Sequence, residues 1–293
     1  MKKLKIPAGA FCVFFCLLLT ACDESEQIPT AIGFYHNLDS ARFAANEKKQ
    51  PLIIEFYKQG CPWSKMFDDS TFTHKLVLAM SEKMIFAKIN VNEDSTSAEK
   101  YDVSFFPTVI VAGSDGEEID RLVGYYPAAD FFNEIQLYLQ GNETLDDYLN
   151  RLADEPEKID YHLIIAEKYK HRSNWNNALG YYNNVISFAG DDHGYEMEMA
   201  LIGIADVQCE MGRYQEAIAS YQNFIEIFTE SDKTENAVRK IPYCLTKLGE
   251  FKQAKELYQK YLENYPNGEF VDWANENIRQ LDLVLQEGTQ IVR

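Results

Sequence analysis

A pattern that recurs in the second half of the chain limits its possible folds more than any other feature. Each copy has an aromatic residue, an alanine three residues later and a tyrosine four residues after that. Spacings of three and four place the residues of a copy on one face of a helix. The copies are 39 and 37 residues apart, a period typical of stacked helical hairpins. The three copies are Trp175, Ala178 and Tyr182; Tyr214, Ala217 and Tyr221; and Phe251, Ala254 and Tyr258.

The pattern resembles the tetratricopeptide repeat, a two-helix unit with a period of about 34 residues. Long loops at Ala189–Gly194 and Thr229–Thr234 account for the longer period here. The resemblance implies an all-α solenoid over residues 156–286, closed by a capping helix at Phe270–Leu283. Such solenoids bind peptides or protein surfaces in a concave groove. The alternative is a generic α-hairpin domain that shares the pattern by chance.

The first half of the chain alternates strand-like and helix-like segments. Short apolar runs predict four strands, and the longer amphipathic stretches around them predict helices. Strands separated by helices indicate an α/β sheet with crossover connections. The predicted strands are 51–57, 84–91, 108–112 and 119–123, and the predicted helices are 40–48, 65–80 and 128–139.

A cysteine lies at the junction between the first strand and the helix after it. The segment Ile53–Lys65 contains Gly60-Cys61-Pro62-Trp63-Ser64 and resembles the active-site segment of the thioredoxin family. Phe106-Pro107-Thr108 resembles the family's cis-proline loop, which faces that cysteine. Asp69-Ser70-Thr71-Phe72 is closest to the periplasmic branch, which includes the C-terminal domain of the transmembrane disulfide reductases. Lys88-Ile89-Asn90-Val91 resembles the central strand, and Gly124 matches a glycine near the end of the last strand. The resemblance implies a thioredoxin fold, with a central mixed sheet flanked by helices.

The sequence departs from the family pattern at two positions. Gly60 replaces a tryptophan, and Ser64 replaces the second cysteine of the C-x-x-C pair. In that pair the first thiolate attacks a disulfide, and the second thiol then resolves the mixed disulfide. A serine hydroxyl cannot resolve it, so the sequence argues against an efficient dithiol cycle within one molecule.

Four side chains are expected to act in catalysis, three of them by the resemblance and Ser64 by the chemistry of its hydroxyl. Cys61 is the nucleophile at a helix N-terminus, where backbone N–H groups and the helix dipole favour a thiolate. Ser64 is expected to donate a hydrogen bond to that sulfur. Glu55 corresponds to the family's buried acid and Lys88 to its basic neighbour. Two alternatives remain open, namely a carboxylate on a solvated strand face for Glu55 and an unreactive remnant for Cys61.

The same resemblance implies a surface that contacts the substrate. Pro107 is expected to be cis and, with Phe106, to present backbone groups to an extended polypeptide. Trp63 is either an exposed recognition residue beside Cys61 or part of the helix packing, and the sequence does not separate these.

The extreme N-terminus is typical of an exported protein. Three lysines within the first five residues precede an apolar run at Phe11–Leu19, as in a secretory signal peptide. Leu19-Thr20-Ala21-Cys22 resembles the bacterial lipobox, which implies acylation of Cys22 and anchoring to a membrane. An ordinary secretory signal or an uncleaved anchor is the alternative. By analogy with enteric bacteria, Asp23 favours the inner membrane over the outer.

The net charge and the cysteine content limit the kinds of ligand that this chain is expected to bind. The net charge of −18 disfavours nucleic acid, and no cysteine or histidine spacing suits a metal, so we expect neither a metal nor a cofactor. Cys12 and Cys16 belong to the signal peptide. Export would place the remaining thiols in an oxidising compartment. Cys209 and Cys244 are expected to be buried free thiols, with pairing as the alternative.

These inferences predict six segments and three candidate functions. The segments are a signal peptide at 1–21, a tether at 22–37, the thioredoxin domain at 38–140, a linker at 141–155, the repeats at 156–286 and a tail at 287–293. The first function is thiol–disulfide exchange through Cys61 with client proteins that the repeats hold, in the periplasm. The second is a non-catalytic adaptor, and the third is an oxidoreductase whose mixed disulfide is resolved by an external thiol.

Overall fold

The computed structural model describes residues 28–190 and 194–291, with side chains described as far as residue 286. The predicted signal peptide, the lipobox Cys22 and the first part of the predicted tether therefore lie outside the described residues. No helix in the described part of the chain is both long enough and apolar enough to cross a membrane.

The N-terminal half is built on a mixed four-stranded sheet. The strands lie in the order β2-β1-β3-β4, with β1 parallel to β2 and antiparallel to β3. The strand register places Glu55 beside Lys88 across the β1–β2 pair. The strands are β1 (Leu52–Tyr57), β2 (Ile85–Asn90), β3 (Thr108–Ala112) and β4 (Glu118–Val123). The helices are α1 (Leu38–Lys48), α2 (Pro62–Met66), α3 (Lys75–Met80), α4 (Ser95–Glu99) and α5 (Ala128–Leu139).

Alternating side chains give the sheet one apolar core on each face. Leu52, Ile54 and Phe56 belong to the core beneath α1, whereas Ile53 belongs to the core beneath α5. By the same alternation, Glu55 faces the α5 side, where it is an acid within an otherwise apolar layer. This arrangement confirms the predicted α/β fold with helices on both faces of the sheet.

The predicted single helix over residues 65–80 is wrong in detail. After α2 the chain forms a π-helical turn at Phe67–Thr71 and then restarts as α3. The wider turn lets Phe67 and Phe72 stack at 5.2 Å between ring centroids, both buried in the α5-side core. In a regular α-helix, residues five apart point in different directions, so the widening has a packing cause.

Part of the segment assigned to a tether packs on the sheet instead. Tyr35 forms a parallel bridge beside β2, donating its N–H to Phe86 O and accepting from Lys88 N, both at 2.9 Å. The ring of Phe34 meets Phe72 edge-on at 5.2 Å. Residues 34–35 therefore extend the folded domain toward the N-terminus.

The C-terminal half is entirely helical within the described residues. Consecutive helices pack against each other as hairpins, and α13 covers the last pair in the place predicted for a capping helix. The predicted linker contains one of the helices, α6. The helices are α6 (Leu145–Asp154), α7 (Ile159–His171), α8 (Trp175–Ala189), α9 (Tyr195–Glu210), α10 (Tyr214–Ile227), α11 (Thr234–Lys247), α12 (Phe251–Asn264) and α13 (Val271–Ile291).

The repeated alanines and tyrosines are buried between these helices, as the pattern predicts. The hydroxyl of Tyr221 donates to Asp206 on the preceding helix at 2.6 Å, and Tyr182 donates to Glu167 in the same way one repeat earlier. Gly203 lies against Tyr182 so closely that a Cβ there would stand 2.4 Å from the ring. The repeats thus share polar contacts as well as apolar packing.

A buried acid on β4 joins the two halves of the chain. Asp120 is fully buried and accepts from Lys168 Nζ at 2.8 Å and from Arg172 Nη2 at 2.7 Å, both on or next to α7. It also accepts from the backbone N–H of Leu145, at the start of α6, at 2.8 Å. Separating these buried charges would leave them without partners, which costs free energy. The cluster therefore holds the repeats against the sheet.

Candidate thiol site

Cys61 follows the short turn after β1 and immediately precedes α2. Gly60 has φ +81, a conformation that favours glycine, and it turns the chain from the strand into the helix. The sulfur is partly exposed and lies 3.9 Å from the carbonyl oxygen of Phe106. The thiol therefore faces the loop predicted to present the substrate and remains open to solvent.

The facing loop is held by two hydrogen bonds. The Phe106–Pro107 peptide bond is cis, the isomer that the resemblance implies. Gly124, with φ +89, donates its N–H to the carbonyl oxygen of Pro107 at 2.9 Å, and Thr108 Oγ1 donates to Phe105 O at 2.8 Å. The residue after β4 thus holds the loop through a backbone hydrogen bond. A glycine suits this position because the backbone there has a positive φ.

Ser64 does not make the contact expected of it. Its side chain is buried within α2, 3% exposed, and its hydroxyl has no hydrogen-bond partner among the described residues. The expected donation to the sulfur of Cys61 is therefore wrong for this structure. A buried hydroxyl without a partner costs stability. The serine occupies the space of a resolving thiol without replacing its chemistry.

Glu55 is buried, 1% exposed, which excludes the alternative of a solvated strand face. Lys88 Nζ lies 3.3 Å from Glu55 Oε2, and it also pairs with Asp68 after α2. Burial raises the pKa of Glu55 to about 7. The positive charge of Lys88 lowers this pKa, whereas the negative charge of Asp68 raises it further. The carboxyl group can therefore exchange a proton near neutral pH, as a buried general acid or base does.

Aromatic rings surround the exposed side of the site. Trp63 is 52% exposed and its ring stacks on Tyr125 at 6.4 Å. Lys58 Nζ lies 4.4 Å from the centroid of the Phe106 ring, a cation–π distance. Trp63 therefore combines the two readings that the sequence left open, since it packs on a neighbour and still presents a face to solvent.

Sequence reasoning missed three residues of this site. Asp68 pairs with Lys88 across a separation of 20 residues, and Tyr125 meets Trp63 from beyond β4. Lys58 lies in the segment that resembles the thioredoxin active site, and its contact with Phe106 depends on the fold. No local pattern marks Asp68 or Tyr125, because their partners Lys88 and Trp63 lie far from them in the sequence.

Comparison with known proteins supports the assignment of both halves. Residues 38–138 match the family described as thioredoxin-like domain, and residues 199–231 and 243–268 match the tetratricopeptide repeat. A thioredoxin of Bacillus subtilis is 31% identical over 85 residues, which are 29% of this chain and 79% of that protein. A thioredoxin of Chlamydia caviae is 33% identical over 73 residues, 25% of this chain and 68% of that protein. The chain belongs to the thioredoxin family.

Among solved structures, a thioredoxin from Thermus thermophilus is similar at 24% identity with a TM-score of 0.34. The matched region covers 38% of this chain and 90% of that one. The thioredoxin-like match and the tetratricopeptide match cover separate parts of the chain.

The repeats reach the cis-proline loop of the thioredoxin domain directly. The ring of Phe105 meets His171 at 6.2 Å and Trp175 at 6.3 Å, both edge-on. The hydroxyls of Ser104 and Ser173 lie 2.8 Å apart. The first hairpin therefore stands beside the loop that faces Cys61, and a polypeptide bound at the loop would lie next to the repeats.

The other two described cysteines lie far from this chemistry. Cys209 on α9 and Cys244 on α11 are both buried, with their sulfurs 3.6 Å apart and not bonded. They are free thiols, as predicted, although they touch. Neither has access to Cys61, because both lie inside the core of the repeats. The described residues contain no cluster of three or more histidine, cysteine or acidic side chains suited to a metal.

Proposed function

We propose that this protein captures client proteins through a mixed disulfide at Cys61, while the helical repeats hold the client beside the site. One observation carries the proposal. Cys61, the only cysteine among the described residues that is not buried, faces the cis-proline loop, and the position of the resolving thiol holds Ser64. The first hairpin of the repeats contacts the loop that faces Cys61, so a client linked to Cys61 would at the same time lie against the repeats.

The exchange step follows ordinary thiol–disulfide chemistry. The thiolate of Cys61 attacks one sulfur of a client disulfide, a new S–S bond forms, and the other client sulfur leaves as a thiolate that takes up a proton. Glu55 is suited to this proton movement, since burial brings its pKa to about 7. Ser64 cannot expel the client, so the mixed disulfide persists until the client's own thiol or an external thiol attacks it.

We further propose that the chain is a bacterial lipoprotein of the cell envelope, anchored through Cys22 and facing the periplasm. The lipobox-like segment and the basic, apolar leader support this location. An oxidising compartment would also supply clients that contain disulfides.

Covalent capture from cells tests the proposal. Proteins linked to the wild-type chain and to Cys61→Ser are purified after acid quenching and compared without and with reductant. We expect defined adducts on the wild type that reductant releases and that Cys61→Ser lacks. The same adducts on Cys61→Ser would contradict the proposal.

The second candidate is a non-catalytic adaptor. The serine at position 64 favours it, because a domain used only as a scaffold does not need the resolving thiol. It predicts that partners bound by the repeats are identical for wild type and Cys61→Ser and that none is covalently linked.

A further inference from the structure

A cavity of about 290 Å³ lies between the cis-proline loop and the repeats. Phe105 and Val123 form its wall on the thioredoxin side. The facing wall carries His171 from α7, Asp206 from α9 and Arg239 from α11, with other polar side chains of the same helices. The space suits a few side chains of an extended polypeptide and is too small for a folded domain.

Arg239 differs from every other arginine whose side chain the structure describes. The other six each pair with a carboxylate within 4 Å, and Arg239 pairs with none. Its guanidinium lies 3.8 Å from the ring centroid of Phe270 and 4.9 Å from that of Trp273. A guanidinium held by aromatic faces keeps its in-plane N–H groups for a planar acceptor such as a carboxylate.

The polar atoms around Arg239 are poorly satisfied by the protein. Arg239 Nε and Asn236 Oδ1 are buried without a hydrogen-bond partner among the described residues. Lys240, the next residue on α11, also lines the cavity and forms no ion pair with a described side chain; its Nζ lies 5.7 Å from the centroid of the Tyr243 ring. Two acids, Asp206 and Glu210, also line the cavity, but neither lies within 4 Å of the Arg239 guanidinium, and Oδ1 of Asp206 already accepts from Tyr221. A larger cavity, which Tyr101 and Trp175 line, lacks this property, because its Arg121 and Arg172 are paired with Glu118.

The cavity continues the surface on which a client would lie. Phe105 precedes Phe106, whose carbonyl oxygen lies 3.9 Å from the sulfur of Cys61. An extended chain advances about 3.3 Å per residue. A polypeptide that crosses the loop with its cysteine at Cys61 would thus reach Arg239 within a short stretch of sequence.

We propose that this cavity is an anion subsite, in which Arg239 and Lys240 bind a carboxylate of the captured polypeptide close to its reactive cysteine. The proposal rests on the proposed function for the source of the ligand. It names the feature that selects clients, namely an acidic side chain, or a free C-terminal carboxylate, at a fixed distance from the cysteine.

Synthetic peptides on the full chain test the subsite without the covalent step. One series carries serine in place of cysteine and glutamate at each neighbouring position in turn, with glutamine at that position in matched peptides and an amidated C-terminus throughout. A further peptide has glutamine and a free C-terminus, which separates the two sources of carboxylate. Affinities are measured by fluorescence anisotropy at low and at moderate salt.

We expect one glutamate or free-carboxylate peptide to bind about tenfold or more tightly than its neutral match, because charge-assisted bonds to arginine are strong. Arg239→Gln removes this preference, and Lys240→Gln, which leaves the stacked guanidinium in place, reduces it. Lys247→Gln on the same helix is the control and keeps the preference, since Lys247 does not line the cavity. Circular dichroism confirms that each variant is folded.

Equal affinity for acidic and neutral peptides would overturn the subsite, as would an equal loss from Lys247→Gln and Arg239→Gln. Adduct formation at Cys61 is measured separately with cysteine-containing peptides activated as disulfides. An acidic preference without any adduct would support the subsite and contradict the proposed thiol function. Adducts that form equally fast with acidic and neutral peptides, without a preference in affinity, would leave the thiol function standing and remove the subsite.

Discussion

The sulfur of Cys61 lies 3.9 Å from the carbonyl oxygen of Phe106, across the gap between the start of α2 and the cis-proline loop. This contact places the proposed nucleophile beside the loop that would present a client's backbone. The position that should hold the second thiol is Ser64, buried and without a hydrogen-bond partner.

Ser64→Cys should convert the site from a one-thiol to a two-thiol centre. The serine side chain is buried one helical turn from Cys61, and a thiol differs from it by one atom. We expect turnover of a peptide disulfide with dithiothreitol to rise by about tenfold or more, because the resolving thiol then acts within the same molecule. Ser64→Ala is the control and should remain as slow as wild type. Equal turnover in all three proteins would show that position 64 does not limit the reaction.

Glu55→Gln should change how stability depends on pH. The folded-state pKa of Glu55 is raised from 4.5 to about 7, so the folded protein binds the extra proton between these values. The free energy of unfolding contributed by this group therefore falls as the pH rises through that window, by about 3 kcal/mol at most. Glutamine does not titrate and lacks this loss.

Urea unfolding of wild type and Glu55→Gln between pH 4.5 and pH 8 measures the difference, and only the difference between the two curves is interpreted because many other acids titrate. We expect the variant to gain stability relative to wild type as the pH rises. Parallel curves would show that Glu55 titrates normally in the folded chain.

Asp120→Asn should weaken the junction between the thioredoxin domain and the repeats. Asparagine leaves Lys168 and Arg172 buried without their shared carboxylate, and such losses cost about 3 kcal/mol. Burial alone would raise the pKa of Asp120, but the charges of Arg172 and Lys168 outweigh it and the pKa lies below its usual value. The stabilisation is therefore present above the ordinary pKa of 3.8 and disappears as the pH falls through the lower folded-state value.

Calorimetry at neutral pH checks this prediction, with Asp146→Asn on the exposed face of α6 as the matched control. We expect a lower midpoint for Asp120→Asn, with separated transitions for the two halves, and no change for the control. A single unshifted transition in Asp120→Asn would mean that the cluster does not hold the domains together.

Native alkylation should distinguish Cys61 from the thiols of the repeats. Cys61 is partly exposed, whereas Cys209 and Cys244 are buried with their sulfurs in contact. Of these three cysteines, we expect iodoacetamide to modify only Cys61 in the folded protein and all three in denaturant, as read by mass spectrometry of the peptides. Protection of Cys209 and Cys244 even in denaturant, lifted only by reductant, would reveal a disulfide instead of free thiols.

Much of this architecture is legible in the sequence, and the exceptions have physical causes. The strand bounds at Thr108–Ala112 and the helix at Ala128–Leu139 agree with the structure, because apolar runs and helical spacing are local signals. The break after α2 is not local. It depends on Phe67 and Phe72 reaching the same core, which only the sheet and α5 provide.

The candidate site shows the same division. Cys61, Glu55 and Pro107 stand in segments whose order matches the family, so the sequence indicates them. Asp68 beside Lys88, and Phe105 against Trp175, depend on distant parts of the chain meeting. The absence of a hydrogen bond from Ser64 to Cys61 could not be predicted from the sequence either. A hydroxyl one turn from a sulfur can point toward it or into the helix packing.

The most direct test of the account is the fate of a peptide disulfide mixed with one equivalent of protein. Intact-mass spectrometry after acid quenching follows the covalent adduct over time for wild type, Cys61→Ser and Ser64→Cys. The account predicts an adduct that accumulates and persists on wild type, never forms on Cys61→Ser, and is short-lived on Ser64→Cys. No adduct on folded wild type, or one that resolves as quickly as on Ser64→Cys, would contradict it.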